Sequence, residues 1–483
     1  MRRLSGLDAS FLYLETSAQL MHVCALITVD TATVPGGYDV EATARRLDER
    51  VRLIPAFRRK LYNPLWNLHH PMWIEDDEFD LDHHLHHIAV PAPGGRAELA
   101  RLCAHIAGQP LDRSRPLWEM YVIEGLADSA TGTDGDDGPN GTVAILLKMH
   151  HASVDGVSGA NLLAFLAGTE PDAPPPDPGA ADAANAGPPG TVSLLRGGVA
   201  ELARRPVDVA KLVPGLVTMV PRWAGRALRG TGMPVPFTAP RTSLNGTITG
   251  HRSLAFAQLD LAEVKAVKNA FGVTVNDVVL ALCAGALREF LAERGELPAE
   301  PLVATVPVSV HDRTERSWGS NKVSAFFASL PTHLPDPAAR VALLAEGNRH
   351  SKAHHHSIHA DMLQDWAQFA GATAFGLGVR AYSALRLAER HPVVHNLVIS
   401  TVAGPPVPLY LLGARITGLY PLGPVFHGAG LNITVLSNAG KVDVGLLGAR
   451  DLVPDLWPLA EAIPRGMAEL REVAARRTAA TEN

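Results

Sequence analysis

KMHHASVDGVSG, residues 148–159, overlaps the end of a largely apolar, strand-like run that begins at Thr142. In an extended strand successive side chains point to opposite faces. Val143, Ile145, Leu147, Met149 and His151 then share one face, and Ala144, Leu146, Lys148 and His150 share the other. His151 ends an all-apolar face, whereas His150 lies beside a lysine. Neighbours that point apart are poorly placed to hold one metal together. A lone imidazole next to apolar surface suits proton abstraction near neutral pH, because those surroundings disfavour the imidazolium. Asp155 and Gly156 supply a turn, with the glycine free to take tight backbone geometry. The competing reading is a histidine hydrogen-bonded in a core. Ser153 follows His151 too closely for a Ser-His-Asp triad, and no nucleophile-elbow pattern frames it.

Working outward, strand-like runs at Trp118–Gly125 and Thr142–His150 flank a polar insert over residues 128–141, which predicts an antiparallel hairpin. Helical patterns occupy Val40–Leu53, Arg96–Ile106 and Ser158–Leu166. The C-terminal half repeats the mixture, with a helix at Val275–Arg294, strands at Leu302–Val310, Val394–Thr401 and Gly430–Leu436, and a terminal helix. Residues 169–190, TEPDAPPPDPGAADAANAGPPG, carry almost no large apolar side chain and read as an exposed linker. The expected organisation is an N-terminal domain over 1–168, a linker and crossover over 169–240, and a C-terminal domain over 241–483, both domains layered α/β.

The chain has 483 residues and a net charge of −6, with 47% hydrophobic and 19% charged residues. That balance is globular and gives no general attraction to nucleic acid. Cys24, Cys103 and Cys283 are widely separated and fit a reducing compartment. The charge-free stretches 391–414 and 416–440 are punctuated by glycine and proline, so neither reads as a membrane-spanning helix. The expectation is a cytoplasmic protein, or one resting on a membrane surface. Residues 191–230 carry seven Lys/Arg against two acids among leucines, valines and Trp223, a pattern suited to peripheral docking.

HHxxxDG, here His150 to Gly156, resembles the signature of the CoA-dependent acyltransferase superfamily. Further matches are LSGLDASFLYLET (4–16), Met21-His22-Val23, FDLDHHL (79–85), PLDRSRPLWE (110–119), TVNDVVLA (274–281), GLNIT (430–434) and GARDLVPD (448–455). In order and spacing they are similar to the bacterial wax ester synthase/acyl-CoA:diacylglycerol acyltransferase family. One departure is Thr401-Val402-Ala403-Gly404-Pro405, where the family commonly has Asn-Val-Pro-Gly-Pro.

The resemblance implies two chloramphenicol-acetyltransferase-like domains with the active-site tunnel between them. It implies that His151 is the general base, with His150 beside it and Asp155 pairing an arginine to hold the loop. Asn276 stands at a helix start, either as an oxyanion donor or as part of a Thr274–Asp277 capping arrangement. Trp118 reads as a packing anchor. The histidines at 83–87 and at 354–356 with His359 read as solvated or packing groups rather than metal ligands.

The implied substrates are acyl-CoA and either diacylglycerol or a long-chain alcohol, with no metal or other cofactor and with a membrane or lipid-droplet surface as partner. Composition rich in Ala, Gly, Arg and Pro resembles high-GC actinobacteria and favours diacylglycerol. An inactive lipid-binding protein is the alternative from a different class.

Overall fold

A computed structural model describes residues 2–63, 70–127, 142–154, 166–174, 234, 237–309, 323–355 and 372–482. In chain order the strands are β1 (Arg2–Arg3), β2 (His22–Asp30), β3 (Arg59–Tyr62), β4 (Met72–Glu75), β5 (Leu85–Ala89), β6 (Trp118–Glu124), β7 (Thr142–His150) and β8 (Ala167–Gly168). They continue as β9 (Arg252–Asp260), β10 (Leu302–Ser309), β11 (Val323–Leu330), β12 (Leu397–Val402), β13 (Tyr410–Leu411), β14 (Ala414–Leu422), β15 (Leu431–Asn438) and β16 (Lys441–Ala449). The described helices are α1 (Gly6–Leu14), α2 (Val40–Leu53), α3 (Pro55–Arg58), α4 (Arg96–Ala107), α5 (Leu261–Phe271), α6 (Val275–Glu293), α7 (Pro337–His355), α8 (Ala372–Ala384) and α9 (Trp457–Glu482).

Two large sheets form the mixed α/β, two-lobed body. The N-terminal lobe is built on a seven-stranded sheet in the order β5-β6-β7-β2-β14-β13-β8. The C-terminal lobe has six strands in the order β11-β10-β12-β15-β16-β9, and β1-β4-β3 form a small third sheet. The expected hairpin is present: β6 and β7 pair antiparallel, with Trp118 opposite Met149. On its other edge β7 pairs antiparallel with β2, and His150 faces His22. Helices α5, α6 and α9 supply much of the largest apolar cluster, against the C-terminal sheet. Helix α4 packs on the N-terminal sheet face that carries Cys24, Leu26 and Leu146.

Sheet membership does not follow chain order. β14 leaves the C-terminal half and pairs along β2, so the N-terminal sheet is completed by residues from the segment expected to form the C-terminal domain. The pairing shifts register between Ile416 and Gly418. A Cβ on Gly418 would stand 2.8 Å from both the Thr28 hydroxyl and the Tyr420 ring, so the crossing requires a glycine.

Asp443, fully buried on β16, ties the crossing down. It accepts from the Leu419 N–H on β14 at 2.8 Å and from Gln258 at 2.7 Å. Burial pushes its carboxyl up to about 6, against the pull of these donors. Arg96 adds a second tie, donating to the Phe256 carbonyl at 3.0 Å with its guanidinium 5.0 Å from the Phe256 and Trp457 rings.

The expected helix at 158–166 and the polar insert at 128–141 lie outside the described residues, apart from Leu166. So do most of the 169–240 crossover and the whole basic-apolar stretch at 191–230.

Candidate active site

The strand carrying the two histidines ends at His150, one residue earlier than face alternation implies. His151 opens a single 3-10 turn, His151–Val154. The cause is local. The His151 N–H donates to the Met21 carbonyl at 2.8 Å, and the Ala152 N–H turns back to the His150 Nδ1 at 3.0 Å. His151 therefore leaves the sheet face it was expected to close, yet keeps an apolar setting. Its ring stacks on Phe11 of α1, centroids 4.0 Å apart, beside a cluster that includes Leu12, Leu117 and Ala152.

The His151 Nδ1 is sealed from solvent and has no hydrogen-bond partner among the described residues. Burial, with a smaller contribution from the neighbouring His150, lowers the ring's pKa to about 4. At neutral pH the imidazole is uncharged and able to accept a proton.

His150 is the opposite case. It is 1% exposed, and its Nε2 lies 2.5 Å from Glu15 Oε2 at the C-terminal end of α1. Arg113 reaches the same carboxylate at 3.3 Å and also donates to the Leu12 carbonyl. Burial opposes ionisation of Glu15, but the His150 hydrogen bond and the charges of His150 and Arg113 outweigh it, bringing the carboxyl to about 2. His22 stands edge-on to His150, centroids 6.0 Å apart, with both ring nitrogens buried and unpartnered among the described residues. Burial and then the charge of Lys148 lower its pKa to about 3. Lys148 itself is 0% exposed and meets Glu119 at 3.0 Å, where the Tyr121 hydroxyl also donates.

Asp155 lies outside the described residues, and with it the expected pairing to an arginine. Asn276 is at the start of α6 in the C-terminal lobe. Thr274 and Asp277 form the expected reciprocal cap there without it, and no described contact joins Asn276 to His151. Trp118 is the expected anchor: 1% exposed, it donates from Nε1 to the Phe57 carbonyl at 2.8 Å and stacks on His84.

His84 is a packing group whose Nδ1 meets the Trp118 carbonyl at 2.8 Å, while His87 faces Glu124 at 3.0 Å. No group of three metal-capable side chains occurs among the described residues. His356, His359 and the side chains of His354 and His355 are outside them. In the segment that departs at Thr401 and Ala403, the shared Gly404 is required by close backbone approach: a Cβ there would lie 2.0 Å from the Ser437 carbonyl oxygen.

Phe11, Glu15, Met21, His22 and Arg113 were not assigned roles by sequence reasoning. Each sits in a quoted motif, but their convergence on the histidine pair depends on tertiary contacts.

Comparison with known proteins starts from the same segments. The profile of the wax ester synthase/diacylglycerol acyltransferase catalytic domain matches residues 4–279, and that of the family's C-terminal domain matches 318–471. The chain belongs to the wax ester synthase/diacylglycerol acyltransferase family. Members of it that resemble this chain include a Mycobacterium tuberculosis H37Rv protein named as a diacylglycerol O-acyltransferase. That protein is 47% identical over 98% of this chain and 90% of its own length. A second so-named protein of the same strain is 38% identical over 97% of this chain and 99% of its own.

Among solved structures, the wax ester synthase/diacylglycerol acyltransferase of Marinobacter aquaeolei VT8 superposes with a TM-score of 0.68. It is 29% identical and covers 98% of this chain and 100% of its own. The first condensation domain of the calcium-dependent antibiotic synthetase shares the fold, with a TM-score of 0.53 at 15% identity, covering 98% of this chain and 97% of its own. The family member is thus an acyltransferase of lipid biosynthesis. Among its described residues no single helix is long and apolar enough to cross a membrane.

Proposed function

We propose that this acyltransferase moves a long-chain acyl group from acyl-CoA to diacylglycerol, making triacylglycerol, with His151 as general base. The observation that carries the reading is the His151 ring, sealed at Nδ1 and stacked on Phe11 just beyond β7, a setting that favours the neutral imidazole. His151 takes the acceptor's hydroxyl proton as that oxygen attacks the thioester carbonyl. The C–S bond then breaks, and the proton passes to the departing CoA sulfur. One base serves both steps, so no acyl-enzyme is required. A positioned base contributes about 10² to 10⁴-fold.

Asp155 is proposed to hold the turn after His151. Residues 191–230 are proposed to dock the enzyme on an anionic lipid surface, where both acyl tails partition. The choice of diacylglycerol over a fatty alcohol is supported by the names of the mycobacterial relatives.

The test is an acceptor panel with labelled palmitoyl-CoA, diolein and hexadecanol. Triacylglycerol as the main product supports the proposal, and predominant wax ester replaces it. Absence of CoA release with any acceptor leaves a lipid-binding protein.

A further inference from the structure

The roles of the two His150 nitrogens can be assigned from their partners. Nδ1 receives the Ala152 N–H at 3.0 Å, so its lone pair is occupied and it carries no hydrogen. The ring's hydrogen is then on Nε2, where it points at Glu15 Oε2, 2.5 Å away. Glu15 is itself held by Arg113 and remains ionised. Arg113 is anchored in turn on the last turn of α1 through the Leu12 carbonyl. The chain of contacts runs Arg113, Glu15, His150, Ala152, and it ends on the residue after His151. On the other flank the His151 N–H is held by the Met21 carbonyl. The backbone of the base is therefore clamped on both sides, and one clamp depends on a carboxylate contributed by α1. The same helix supplies Phe11, against which the His151 ring rests.

We infer that Glu15 is a positioning residue for acyl transfer: by fixing the Nε2–H tautomer of His150 it holds the 3-10 turn that presents His151. The inference rests on the reading of His151 as the base. A neutral His150 with its hydrogen on Nδ1 would set two donors, that hydrogen and the Ala152 N–H, against each other. The turn would open, and the reacting geometry would loosen without any loss of a substrate contact. Such misplacement costs rate rather than affinity.

The experiment compares wild type, Glu15→Gln, Glu15→Leu and His151→Ala as full chains. It measures kcat and KM for palmitoyl-CoA with saturating diolein, beside the melting temperature. Glu15→Leu should lose about 10 to 100-fold in kcat with KM within twofold, because no acceptor remains for the Nε2–H. Glu15→Gln keeps an acceptor oxygen and should restore most of the wild-type kcat. Should Glu15→Leu fail to fold, Glu15→Gln decides alone, and a kcat reduced tenfold or more overturns the inference. Wild-type kcat in Glu15→Leu, or a loss appearing only in KM, also overturns it. A wild-type kcat in His151→Ala would instead remove the base assignment, whatever the Glu15 variants show.

Discussion

On one side of the end of β7, His150 has both ring nitrogens engaged, by Glu15 and by the Ala152 N–H. On the other side, His151 leaves its buried Nδ1 unbonded among the described residues and rests on an aromatic ring. Burial lowers the pKa of both. Partners separate them: His150 is tied to Glu15 and through it to Arg113, while the His151 Nδ1 has no partner among the described residues. The same side of β7 carries Lys148 and faces His22, so one face of the strand end serves structure and the turn beyond it is the proposed seat of the chemistry.

The largest stability effect should come from Lys148. A fully buried ammonium is tolerable only through its pairing with Glu119, and breaking such a pair costs about 3–5 kcal/mol. Glu119 keeps some exposure and the Tyr121 hydroxyl, which places Lys148→Ala toward the lower end, about 3 kcal/mol by urea unfolding. A loss below 1 kcal/mol would mean that the polar face is not a structural element.

Next comes Asp443, which tests the crossing that completes the N-terminal sheet. Its two oxygens accept from Gln258 on one side and from Leu419 and Asn438 on the other. In Asp443→Asn an amide must face one set of donors, and the variant should lose about 1–3 kcal/mol.

His22 predicts a pH dependence. Its pKa falls from 6.5 to about 3 on folding, so between those values the unfolded chain binds a proton that the folded chain refuses. The stability contributed by keeping His22 neutral is complete above pH 6.5 and is lost as pH falls toward 3. His22→Phe should flatten the slope of stability between pH 6 and 4 by about 1.4 kcal/mol per pH unit. An unchanged slope would show that His22 takes up its proton while folded.

The smallest effect is expected at Asn276. Thr274 and Asp277 cap α6 between them, so Asn276→Ala should cost less than about 1 kcal/mol and less than tenfold in kcat. A 10²-fold fall in kcat at constant melting temperature would place its amide at the oxyanion.

Much of this was legible in the sequence where the signal is local. The bounds of α2 follow from helical periodicity, and the β6–β7 hairpin follows from the turn-rich insert between two strand-like runs. The crossing of β14 was not legible. It brings together side chains such as those of Thr28 and Thr417, 389 residues apart, and nothing in the glycine-punctuated stretch 416–440 indicates that β14 and β15 enter different sheets. The same holds for Glu15 and Arg113, which stand beside His150 only after α1 docks. His151 was assigned to a strand face because alternation cannot show that the Ala152 N–H turns back onto a side chain.

The central claim is tested most directly by kcat for palmitoyl-CoA turnover in His151→Ala and His150→Gln, measured side by side with their melting temperatures. His151→Ala should lose about 10³-fold at an unchanged melting temperature. His150→Gln, whose amide still reaches Glu15 but leaves the Ala152 N–H without its acceptor, should lose no more than the roughly 10 to 100-fold expected of Glu15→Leu. The reverse order, with the His150 variant dead and the His151 variant near wild type, would contradict the account.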